Sequence, residues 1–213
     1  MTFKEGLASS PTNAGERVDV EVERKSKYIA ITSLALPCIH VYAWSSSGFG
    51  TKYADPSPLT PSNVKHVTFN HDSTVISVAG NSTPGIHVYA WSPSGFGTKY
   101  ADPSIPGTSN GMTCAFNSDS TLIVAANQLA PYILVYPWDN ATGFGTKFAD
   151  PSSPLPDTGN GVDFNHDSTV IAFAHNGAPY VTAYAWDNTT GFGAKFSDPS
   201  ILTGTTCNSV AFG

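Results

Sequence analysis

Apolar and polar residues alternate with a period of two over short stretches of this chain, and helical periodicity does not compete with that pattern. The clearest stretch begins at Lys65 to Asn70, where Val67 and Phe69 alternate with polar neighbours and predict a first strand, a. Asn70-His71-Asp72-Ser73-Thr74 predicts a turn, and Val75 to Ala79, dense in β-branched residues, a second strand, b. Gly80-Asn81-Ser82-Thr83-Pro84-Gly85 cannot continue a strand, so Ile86 to Trp91 reads as a third, c. After Ser92-Pro93-Ser94-Gly95, the stretch Phe96 to Ala101 alternates again as a fourth, d, until Asp102-Pro103 removes the next ladder donor.

This four-strand unit recurs. The step from Trp44 to Trp91 and from Trp91 to Trp138 is 47 residues, and from Trp138 to Trp186 it is 48. Each tryptophan is followed by a Gly-Phe-Gly hairpin and an Asp-Pro-Ser stop, giving units at about 18–57, 65–104, 112–152 and 160–200. So short a unit buries too little apolar surface to stand alone. Strands b and c are apolar on both faces, as in Tyr132-Ile133-Leu134-Val135-Tyr136, so each small sheet must be covered by its neighbours. Radial stacking meets that demand, and the expected fold is an all-β propeller of four blades, each of four antiparallel strands. Residues 208–213 read as a further strand a, expected to close the ring by supplying Val210 and Phe212 as the inner strand of the first blade. Residues 1–17 are then an N-terminal arm and 18–213 the propeller domain, with a five-bladed or subunit-completed propeller as the alternative.

Tyr136-Pro137-Trp138-Asp139 and Tyr184-Ala185-Trp186-Asp187 end strand c in a Trp-Asp dipeptide, and the Asn-x-Asp-Ser-Thr turn joins a to b. These motifs resemble those of WD-repeat propellers over about 195 residues of the chain. The first two copies carry Trp44-Ser45 and Trp91-Ser92 instead, and no copy has the Gly-His that usually precedes strand a. The Asp-Pro-Ser stop and the Gly159 to Val162 lead-in look more like the divergent propeller repeats of bacteria and bacteriophages. Copies one and two match across Ile39 to Ser57 and Ile86 to Ser104 except where Ser46 faces Pro93, a mark of recent duplication.

Composition narrows the function. Charged residues make up 12% of the 213, with a net charge of −6 and no basic run, so nucleic-acid binding is not expected. The longest apolar stretches are strand-sized and no signal peptide opens the chain, which points to a virion or cytoplasmic protein rather than a membrane one. Cys38, Cys114 and Cys207 lack metal-type spacing and read as buried, reduced small hydrophobes.

Asn70-His71-Asp72-Ser73 and Asn165-His166-Asp167-Ser168 contain triad residue types, but neighbours in a tight turn point apart, so Asp72, Asp119 and Asp167 read as turn caps. Ser47-Gly48-Phe49-Gly50-Thr51-Lys52 lacks the Gly-Lys-Ser/Thr order and following helix of a phosphate loop. Lys52, Lys99, Lys147 and Lys195 are expected to guard the outer edge against pairing, and Asp55, Asp102, Asp150 and Asp198 to cap the stop. Trp44, Trp91, Trp138 and Trp186, with the tyrosines two residues before them, are expected mostly as inter-blade core. The loops that vary most place Asn81, Gln128, His175 and Asn176 on one disc face as candidate ligand or partner contacts. No catalytic, metal or cofactor residue emerges. The expectation is a non-enzymatic interaction or structural protein. The resemblance suggests a bacteriophage virion component, decorating a capsid or associated with a tail, bound to other virion subunits. The alternative is a multivalent, lectin-like propeller binding glycans.

Overall fold

An asparagine sets the hairpin between the first two strands of the second, third and fourth blades. Asn70 Oδ1 accepts the Thr74 and Val75 N–H groups at 2.9 and 2.8 Å, and Asn117 and Asn165 accept the Leu122 and Val170 N–H groups, both at 2.8 Å. The tight turn puts Ser73, Ser120 and Ser168 at φ of 57°, 60° and 53°, in the left-handed region. Asp72 and Asp119 accept bonds from the Thr74 and Thr121 amides and hydroxyls. Partial burial pushes these two carboxyls up, but the threonine bonds outweigh it and hold them below the usual carboxylate range. The capping role expected of this motif is what the turns show at these two aspartates.

The computed structural model describes residues 27–33, 35–58, 60, 63–81, 83–107, 110–201 and 204–213. Among them, β1 (Tyr28–Thr32), β2 (Ile39–Ser45) and β3 (Gly48–Lys52) form the first sheet. The second is β4 (Val64–Phe69), β5 (Val75–Gly80), β6 (Ile86–Ser92) and β7 (Gly95–Lys99). The third is β8 (Gly111–Phe116), β9 (Leu122–Asn127), β10 (Ile133–Asp139) and β11 (Gly143–Phe144), and the fourth β12 (Gly159–Phe164), β13 (Val170–His175), β14 (Val181–Asp187) and β15 (Gly191–Lys195). Every pairing is antiparallel between consecutive strands, in register across the blades: Val75 faces Ala90 and Val170 faces Ala185. The protein is an all-β, four-bladed propeller.

Burial follows from stacking. Every residue of β5 and β9 is buried, as strands covered on both faces must be. Three hydrophobic clusters form, one at each boundary: Ile39 and Val41 with Ile76 and Val78, Val88 with Leu134, and Val135 with Phe173. No such cluster joins the fourth blade to the first among the described residues.

The turn after each tryptophan explains the Trp-Asp and Trp-Ser variants. Asp139 accepts the Ala141 and Thr142 amides, and Asp187 the Thr189 and Thr190 amides, which holds both exposed carboxyls below the usual range. In the first two blades Ser45 and Ser92 hydroxyls accept the Ser47 and Ser94 amides instead.

One expectation is refined and one changes. The strand d lysines Lys52, Lys99, Lys147 and Lys195 each pair with the aspartate three residues on, so the outer edge carries ion pairs. Residues 208–213 form no ladder with β1. Phe212 N–H donates to Asp163 at 2.8 Å and Asn160 Nδ2 donates to the Cys207 carbonyl at 2.9 Å, so this segment is tied to the fourth blade. The arm at 1–17 and residues 18–26 of the first unit lie outside the described residues.

Asn70 is 2% exposed, so Asn70→Ala leaves two amide donors without their acceptor and is expected to cost about 2 kcal/mol. Asp72→Asn keeps an oxygen for the Thr74 amide and is expected to cost under about 1 kcal/mol. Urea unfolding of the two variants measures both, and equal losses would refute the division of labour.

Candidate functional site

The blades are joined by an aromatic lock built the same way at three boundaries. Trp91 packs edge-on against Tyr53 of the first blade, Phe69 of its own inner strand and Phe96 of its own outer strand, with ring centroids 5.0, 5.6 and 4.9 Å away. Trp138 meets Tyr100, Phe116 and Phe144, and Trp186 meets Phe148, Phe164 and Phe192, in the same edge-to-face geometry. The ring from the preceding blade also presses on the hairpin glycine. A Cβ at Gly95, Gly143 or Gly191 would lie 3.3, 3.2 or 2.9 Å from Tyr53, Tyr100 or Phe148, and these glycines have φ of +104°, +84° and +85°. Only glycine meets both demands.

A hydrogen bond completes each lock. The phenols of Tyr89, Tyr136 and Tyr184 donate to the Pro58, Ile105 and Ser153 carbonyls in the connection leaving the preceding blade. Burial pushes Tyr89 and Tyr184 up to about 12 and raises Tyr136 as well, so all three remain donors at physiological pH.

The first and fourth blades each carry one unjoined half of this lock. Trp44 is 39% exposed where Trp91, Trp138 and Trp186 are 3%, 4% and 5%, and Phe49 beside it is 60% exposed. A Cβ at Gly48 would meet nothing within 4 Å. At the other end, Phe196 stands where Tyr53, Tyr100 and Phe148 stand and is 49% exposed, and Phe212 stands where Phe69, Phe116 and Phe164 stand and is 41% exposed. The expected core role therefore holds for three of the four tryptophans and fails for Trp44, beside which no neighbouring blade stands among the described residues.

A channel of about 560 Å³ lies where β4, β8, β12 and residues 208–211 converge. Lys65, His66, Thr68, Asn160 and Asp163 give it a polar wall. Burial is the main cause that lowers His66 below the usual histidine range, and its Nδ1 accepts the Cys114 N–H at 3.5 Å, which leaves Nε2 as the protonated nitrogen of a neutral ring. Cys114 also borders the channel, and full burial pushes its thiol up to about 12, so it stands as a thiol rather than a thiolate at neutral pH. Among the described residues no group of three or more His, Cys, Asp or Glu side chains could hold a metal ion. None of their helices is long and apolar enough to cross a membrane.

The variable loops do not assemble a site. His175 is fully buried, its Nε2 2.9 Å from Thr182 Oγ1, so it belongs to the core and not to a ligand surface. Asn81 is half-buried, its N–H donating to Asn63 at 3.3 Å. Gln128 and Asn176 are exposed, but the Gln128 carbonyl takes the Thr158 hydroxyl and Asn176 Oδ1 takes Asn160 Nδ2 at 2.6 Å, tying both to neighbouring segments. Sequence reasoning missed Phe196 and Gly48 and expected Phe212 in the first blade's inner strand, not uncovered beside the fourth. The signal was present as the aromatic that recurs at Tyr53, Tyr100, Phe148 and Phe196, just past each strand d.

No family model and no curated protein matches the sequence. The fold is similar to that of a "putative 6-phosphogluconolactonase" from Bacteroides uniformis, at 11% identity and a TM-score of 0.57 over 91% of this chain and 63% of that one. It is also similar to a protein from Lactobacillus plantarum, at 13% identity and a TM-score of 0.53 over 95% of this chain and 57% of that one. The chain thus spans about three fifths of the length of these structures. This likeness corrects one expectation. A tandem repeat without a triad was read as no enzyme, but a propeller of the same fold is described as a lactonase, so the repeat architecture gives no ground for excluding catalysis.

Burial lowers three histidines, His66, His87 and His175. His87 is held at about 4, chiefly by burial and then by Lys99, so its 4.0 Å approach to Asp102 is not an ion pair at neutral pH. Unfolding returns these rings to about 6.5, so the unfolded chain binds more protons below that pH, and stability present above it is lost as the pH falls towards 4. The urea midpoint is expected to drop between pH about 7 and about 4, with a shallower drop in His87→Gln. A pH-independent midpoint would contradict the burial of these rings.

Proposed function

We propose that the protein is an interaction and assembly module whose working surfaces are the two uncovered blade faces. The observation that carries this reading is Trp44, a 39% exposed tryptophan whose three counterparts are locked into neighbouring blades. Clustered exposed aromatics beside small polar residues have the makeup of a protein-binding hot spot. The low charge of 12%, with a surface rich in Ser, Thr and Asn, fits packing among other subunits, and the resemblance of the repeat to bacteriophage propellers supports a place in a virion, on a capsid or a tail.

Trp44→Asp is expected to abolish retention on particles while each chain stays folded, because the ring is 39% exposed within one chain and joins no neighbouring blade there. Quantitative mass spectrometry of purified particles with and without the substitution checks this, and equal retention would sink the reading. If Trp44 instead stacks on sugars, as the lectin alternative holds, glycan-array binding competed by a free sugar replaces particle retention.

A second reading has one observation in its favour, the polar wall of the channel, where the Lys65 ammonium and the His66 Nε2–H could hold an anionic small molecule. Taken with the lactonase-like fold, it points to hydrolysis of a phosphorylated sugar lactone. Acid release from 6-phosphogluconolactone above the spontaneous rate, lost in Lys65→Ala, is the expected result on this reading, and a rate equal to buffer would end it.

A further inference from the structure

We infer that the partner of the two uncovered faces is a second copy of this chain, docked head to tail so that the first blade of one copy meets the fourth blade of the other. The inference rests on the interaction-module reading and gives it an occupant.

The argument starts from a comparison the chain supplies itself. Ile39 to Ser57 and Ile86 to Ser104 differ only at Ser46 and Pro93, yet Trp44 is 39% exposed and Trp91 3%. Near-identical segments cannot differ this way through their own residues, so what stands beside them decides it. Beside Trp91 are Tyr53 from the preceding blade and Phe69 from the inner strand. Their equivalents for Trp44 are Phe196 and Phe212, and both are uncovered on the far blade, as is Ile201 at 86%. The two ends are therefore complementary halves of a joint the molecule already makes three times.

Geometry favours a second copy over closure within the chain. The segment expected to seal the ring is tied to the fourth blade through Asp163 and Asn160, and no hydrophobic cluster bridges the fourth blade to the first among the described residues. In the docked pair, Trp44 of one copy enters between Phe196 and Phe212 of the other, and Phe196 covers Gly48. The Tyr42 phenol donates to the Ile201 carbonyl, repeating the Tyr89, Tyr136 and Tyr184 bonds. Such an interface is heterologous, a head-to-tail joint between two copies.

Light scattering on the purified chain measures its mass, and acrylamide quenching reports Trp44. The expected result is a mass of two or more copies with Trp44 shielded, and one-copy masses for both Trp44→Asp and Phe196→Asp. An equimolar mixture of the two variants should regain a heavier species, because the intact faces of the two can still form one joint; a symmetric face-to-face contact would gain no such rescue. A heavier native species unaffected by either substitution overturns the inference. A one-copy mass with Trp44 shielded also overturns it, and with it the interaction reading, since the chain would then cover its own joint. A one-copy mass with Trp44 open to acrylamide overturns the second copy alone and leaves the face to a different protein.

Discussion

The architecture depends on one contact, the edge-to-face seating of a strand-end tryptophan between an aromatic ring of the preceding blade and a phenylalanine of its own inner strand. Everything local serves that contact. The hairpin glycine must be glycine because its backbone is left-handed and the neighbour's ring lies within about 3.3 Å of where a Cβ would be. The tyrosine two residues earlier shares the tryptophan's face and donates to the connection that leaves the neighbouring blade. Burying an aromatic of this size contributes about 1.5 to 3 kcal/mol, so no single lock holds a blade, but each brings with it the wholly buried central strands on either side.

The strands were legible because period-two alternation and turn chemistry are local. Strand b, read as Val75 to Ala79, is Val75–Gly80, and strand c, read as Ile86 to Trp91, is Ile86–Ser92. What escaped was set by residues far apart in the chain. His175 sits in a variable loop by sequence and in the core by position, because Thr182 on the adjacent strand receives its ring. The pairing of the strand d lysines also went unread, since the turn folds each aspartate back onto its lysine. Trp44 is the sharpest case, since a segment all but identical to its neighbour cannot announce that its neighbour's burial will not be its own.

The channel obeys different physics from the joints. Its reactive-looking cysteine is silenced by burial, and its histidine is a neutral ring whose Nδ1 is engaged by a backbone amide. What remains is a polar lining of one amine, one carboxylate and amide groups, suited to holding a small polar molecule.

A repeat whose copies join by such a lock has an unavoidable consequence. Each blade carries a tryptophan face and an aromatic-pair face, so any row of blades ends with one of each uncovered, however many copies duplication adds. Only a closed circle removes both. Whether a given number of blades closes depends on the wedge angle between them, which is fixed by how closely the inner strands approach around the channel. Here the third inner strand is tied to the C-terminal segment through Asp163, which sets that segment on the channel wall without reaching the first blade's sheet. A second copy docked head to tail would cover both ends with faces that already fit each other at every internal boundary.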